Sequence, residues 1–134
     1  MVVEPDTNAL INTGYTTTSP ELQYQIRFAT PGTYYVWVRA LPVDDDNNSV
    51  HVGLNGAALA TSDRISTTAY GAWVWYKDTL DGSVATVKVS SAGVHTLNVW
   101  MREDGFRLDR ILLTTSKSFN PTGTGPAESA RTTP

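Results

Sequence analysis

Between Leu22 and Thr114 the chain alternates apolar and polar residues with a period of two. Leu22, Tyr24, Ile26 and Phe28 interleave with Gln23, Gln25 and Arg27. Successive side chains of an extended chain leave opposite faces, so this stretch predicts a half-buried strand. Pro31-Gly32 marks a turn, and Thr33–Leu41 repeats the pattern. Tyr34, Val36, Val38 and Ala40 fall on one side, Tyr35, Trp37 and Arg39 on the other. Ser49–Leu54 turns Val50, Val52 and Leu54 inward and His51 outward, and Asn55-Gly56 suits a two-residue hairpin. Further strands are predicted over Trp73–Asp78, Ala85–Ser90, Val94–Met101 and Phe106–Thr114. Asp44–Asn48 reads as a polar loop, and Ala60–Gly71, which has no period, as a long one. No window carries the 3.6-residue period of an amphipathic helix. The fold predicted is all-β: an antiparallel β-sandwich of the jelly-roll type with about eight strands. Parallel pairing would need crossover helices, for which the connections leave no room.

Composition narrows this further. A chain of 134 residues can bury a self-sufficient core. Residues 1–118 are expected to form one module, and 119–134, rich in Pro, Gly, Thr and Ser, a linker or tail. The absence of cysteine excludes disulfides, thiol nucleophiles and cysteine-ligated zinc. A net charge of −3 argues against a nucleic-acid partner, which needs a basic face for phosphates. No run approaches the ~18 apolar residues of a membrane span, and the first residues lack a signal-peptide pattern. The expected state is a monomer without membrane contact.

Catalytic chemistry is thinly represented. The two histidines, His51 and His95, fall inside predicted strands, and Ser90-Ser91 is not set in a nucleophile elbow. The acids Asp44, Asp45, Asp46, Glu103 and Asp104 lie in predicted turns, where solvated carboxylates are ordinary. The chain is therefore not expected to be an enzyme. Aromatic residues on polar faces carry more information, because a flat ring covers the apolar face of a sugar while Arg, Asn or Asp grips its hydroxyls. Trp37 falls with Arg39, and Trp100 with Asn98 and Thr96, away from the core set. If both strands share a sheet, these rings share its outer face. Trp73, with Trp75 on the same side, opens its strand directly after the loop holding Tyr70, a junction that presents a ring to a ligand.

The segments PGTYYVWVRA, GAWVWY and GVHTLNVWMREDGFRLDRILLT, in this order and spacing, resemble carbohydrate-binding modules of families six and thirty-five. Those are galactose-binding-like β-jelly-roll modules attached to polysaccharide-degrading enzymes, and the likeness covers Leu22 to Thr115. It implies a module that binds a polysaccharide or oligosaccharide without catalysis. The implied setting is a secreted bacterial enzyme, with the parent enzyme domain in the same chain. By resemblance the edge-loop site would use Trp73, with Tyr15 opposite it, and Arg107 where those modules carry Asn. The forked cation of Arg107 leaves the ligand class open between charged and neutral sugars. A second site on the concave face would comprise Trp37, Trp100 and Arg39. Relatives also hold a structural calcium through an N-terminal Glu-x-Glu and the Asp of the last strand. Asp109 matches the latter, whereas Glu4-Pro5-Asp6 stands where Glu-x-Glu would be, which leaves calcium open. The alternative reading is a protein-interaction or adhesin-type sandwich whose aromatic face docks a neighbouring domain.

Overall fold

The computed structural model describes residues 1–131; the last residues of the expected tail, 132–134, lie outside the described residues. One helical turn, α1 (Tyr15–Thr18), precedes the strands β1 (Glu21–Phe28), β2 (Gly32–Ala40), β3 (Ser49–Leu54), β4 (Ala57–Ala58) and β5 (Ile65–Ser66). Then follow β6 (Val74–Tyr76), β7 (Thr86–Val89), β8 (Gly93–Met101) and β9 (Leu108–Thr114). They form two antiparallel sheets. The first runs β1-β8-β3-β4, with β5 beside β3; in the second, β6 and β7 flank one edge of β2 and β9 the other. The fold is the β-sandwich that the alternation predicts.

Register explains the core. Val36, Val38 and Ala40 of β2 face Val50, Val52 and Leu54 of β3 and Leu97 and Val99 of β8, all buried. Each such side chain contributes roughly 1.5–3 kcal/mol on leaving water. Between β3 and β4, Asn55 and Gly56 both take positive φ, 53° and 78°. That matches a type I′ turn, whose twist fits paired strands. Two elements had no counterpart in the pattern. β5 lies within the aperiodic loop and pairs Ser49 with Ser66, and α1 is too short to show a period.

The two sheets also part residues that the sequence reading grouped. Trp37 and Arg39 lie on the outer face of the β2 sheet, whereas Trp100 and His51 are paired across β8 and β3 on the outer face of the other. Trp37, Trp100 and Arg39 therefore form no common concave face. Alternation fixes which side of its own strand a residue takes, but not which sheet the strand joins.

Candidate functional site

On the outer face of the first sheet, every ring is covered. Tyr15 of α1 stacks on His51 with ring centroids 3.7 Å apart and 10° between planes, and its centroid lies 5.5 Å from that of Trp100. Tyr15 and Trp100 are 6% and 1% exposed. Gly53 makes room for the indole: a Cβ there would come within 2.6 Å of Trp100 Cζ3 and 2.3 Å of the Ala57 carbonyl. His51 Nε2 donates to the Ile11 carbonyl at 2.8 Å, so Nδ1 is the acceptor for the Arg64 N–H at 3.2 Å. Burial, with nearby Arg102 and Arg64 charge, lowers its pKa to about 4 and keeps the ring neutral. Tyr15 thus packs this sheet and does not oppose Trp73. The expectation that it lines an edge site is corrected, because α1 folds it down onto His51.

The second sheet differs. The loop before β6 is tied back by the Gly71 N–H to the Pro42 carbonyl at 2.8 Å, and Trp73, at its end, remains 41% exposed. Arg39 places its guanidinium carbon 5.1 Å from the centroid of that ring, a cation–π contact. The same guanidinium pairs with Asp109 and donates from Nε to the Gly123 carbonyl at 3.0 Å. A register shift between Arg39 and Ala40 turns Asp109 out of the ladder beside Arg39, the re-aiming typical of a β-bulge. Val74 and Leu108 both pair with Ala40 from opposite edges of β2. Trp73 and Arg107, one residue before each, therefore sit at the same end of the sheet, their Cα atoms roughly 10 Å apart. Arg107 is exposed and has no ion-pair partner among the described residues. The structure joins Trp73, Arg39 and Asp109 and leaves Arg107 at the same end of the sheet, residues drawn from the edge, concave-face and calcium sets.

Trp37, 6% exposed, lies lower on this face under Lys77, whose Nζ is 4.7 Å from the ring centroid. Trp75 donates its indole N–H to the same Gly123 carbonyl at 3.0 Å, and Gly125 packs so closely on that ring that a Cβ would reach Cζ2 at 2.7 Å. The segment around Gly123 thus lies across the face below Trp73.

The turn acids are structural. Glu103 accepts the Asn48 N–H at 2.7 Å and the Ser49 N–H at 3.2 Å, and pairs with Arg102 at 2.6 Å. Burial raises the Glu103 pKa despite these donors. Asp104 accepts from Thr7 Oγ1 at 2.6 Å and from the N–H groups of Thr7 and Ala9 at 2.8 Å, which lowers its pKa. At this loop end a polar pocket of about 470 Å³ is lined by Asp45, Asn48, Arg102 and Glu103. Nearby, the exposed Tyr70 donates its hydroxyl to Asp45. Asp109, the candidate metal ligand, is paired with Arg39, and among the described residues no three His, Asp or Glu side chains are grouped to hold a metal ion.

On this two-sheet scaffold the surface offers an open indole beside an ion-paired guanidinium, with a further arginine exposed at the same end. The comparisons give it a family. Residues 1–128 match the Glycosyl hydrolase family 115 C-terminal domain, and the chain belongs to that family. It is 38% identical over 113 residues to "Uncharacterized protein P23" of Formosa agariphila, a match covering 78% of this chain and 27% of that protein. It also shares its fold with the crystal structure of the Podospora anserina GH26-CBM35 β-(1,4)-mannanase, at a TM-score of 0.55 and 20% identity. That likeness covers 90% of this chain and 26% of the mannanase chain. The chain spans about a quarter of the length of each of these two proteins. The family ties this domain to carbohydrate-active enzymes.

Proposed function

We propose that the chain is a non-catalytic carbohydrate-binding module that anchors a parent polysaccharide-active enzyme, secreted by a bacterium, to its glycan. The carrying observation is Trp73: a large apolar ring left open with the Arg39 guanidinium stacked against it. In this reading the indole covers one face of a saccharide ring. Arg107 and the Arg39–Asp109 pair take its hydroxyls or charged groups by charge-assisted hydrogen bonds. Such contacts are weak singly. Tethering the enzyme raises its effective concentration on an extended glycan, and that avidity is the module's contribution.

Affinity electrophoresis over neutral, uronic and sulfated polysaccharides tests the reading. The chain is retarded by at least one of them, and Trp73→Ala loses that retardation by about tenfold or more while its Tm stays within ~2 °C. Undiminished retardation of a folded Trp73→Ala protein would remove Trp73 from the site.

A further inference from the structure

The sandwich is open along one side. Among the described residues β1 pairs with β8 alone, and β9 beyond Leu108 with β2 alone, so both sheets end in an open edge on this side. Between them runs a groove of about 1130 Å³ whose walls include Tyr24, Ile26 and Phe28 of β1, Leu97 of β8, and Ile111 and Leu113 of β9. These are inward-facing positions of the alternating pattern, yet Tyr24 is 42% exposed and Ile111 and Leu113 are only half-buried. This core face is bordered by Phe119 and the 124–131 segment but by no paired strand among the described residues, and two such backbone edges flanking apolar positions are the geometry that accepts an added strand.

The start of such pairing is already in place. Val2 forms an antiparallel bridge with Arg107, and the Leu108 N–H donates to the Met1 carbonyl at 2.8 Å while the Met1 amino group donates to the Leu108 carbonyl at 2.5 Å. Antiparallel register runs by equal steps in opposite directions. Polypeptide joined ahead of Met1 would pass along Asp109 to Thr114 in this direction, its pleat reset at the bulge beside Asp109 so that the residues opposite Ile111 and Leu113 enter the groove. The segment from Thr124 to Arg131 also borders the groove but makes no backbone hydrogen bond to β9 among the described residues.

We propose that the outer edge of β9 is a docking site for an extended strand of alternating apolar residues, delivered by the parent polypeptide in the direction that Met1 and Val2 open. The family's description as a C-terminal domain agrees with polypeptide arriving from that direction. This closure joins the module to its neighbour through backbone pairing, and it does not depend on the glycan reading.

The test compares the chain with two N-terminal extensions long enough to reach Thr114. One places Val opposite Ile111 and Leu113, and the other is shifted by a single residue, so that the same valines face solvent. The in-phase extension is expected to raise Tm by more than about 3 °C and to slow amide exchange across Arg110–Thr114 at least about tenfold. The shifted extension does neither. Equal Tm and exchange for all three proteins would overturn the proposal. So would sedimentation of the unextended chain as a dimer with Arg110–Thr114 protected, because the edge would then belong to a second copy.

Discussion

The two outer faces of the sandwich start from similar material and end differently. Each presents tryptophan, a second aromatic ring or histidine, and an arginine nearby. On the β8–β3 face, α1 lays Tyr15 over His51 and Trp100 and removes them from solvent. On the β2 face, the covering segment stops at Trp75 through Gly123, and Trp73 stays open beyond it. An aromatic residue on a predicted polar face is therefore not yet a binding surface. What decides is whether a loop from elsewhere in the chain packs on top.

The sharpest way to break this contrast is to remove one ring from each face. Trp100→Ala is expected to cost about 3–5 kcal/mol in urea unfolding, the range for emptying a buried large aromatic position. Trp73→Ala should fall within about 0.5 kcal/mol of the parent, as exposed positions do. Comparable losses for the two variants would erase the distinction between a packing face and a recognition face.

Acid offers a second lever on the covered face alone. Folding holds His51 neutral with its pKa near 4, below the ordinary 6.5, so the unfolded chain binds the proton first. Stability is at its full value above pH 6.5, and it falls as pH drops toward 4, by roughly 2–3 kcal/mol. Glu103 titrates with the opposite sign, since its pKa is raised by burial, but that slope is common to the parent and to His51→Gln. The difference between the two proteins, followed by urea titration from pH 7 to 4, isolates the imidazole. A difference that does not change with pH would show that His51 is not held neutral by the fold.

The smallest effect sharpens the boundary of the open face. Ending the chain at Ser118 removes the Gly123 carbonyl from Arg39 and Trp75. Tm should fall by less than about 3 °C, for a loss near 1 kcal/mol. Acrylamide quenching of tryptophan should rise as Trp75 opens. Unchanged quenching would mean that the segment does not cover Trp75 in solution.

Much of this architecture was legible from alternation. The strands over β1, β2, β3, β7 and β8 lie within a residue or two of their expected bounds, and the Asn55-Gly56 hairpin has the positive φ its residues favour. Strand partners were not legible, because a period of two assigns faces and says nothing about which sheet receives them. That is why Trp37 and Trp100 were wrongly joined. Of the candidate surface, the exposure of Trp73 was legible from its place at a loop–strand junction, while Arg107 was singled out through the family likeness. The link of Trp73 to Arg39 was hidden, since it depends on β6 pairing beside β2, which a period of two does not reveal. The cover on Trp75 was hidden for another reason: it acts through a glycine carbonyl, and any residue type carries one.

The four tryptophans occupy four unlike settings. Trp100 is enclosed with its N–H unpartnered, Trp37 lies beneath an ammonium, Trp75 donates to a carbonyl, and Trp73 meets water. Fluorine placed on the indoles would give four dispersed resonances without any engineered label. Each line would report its own neighbourhood, so an added sugar, a drop in pH or a shortened tail would leave a separate signature in a single spectrum.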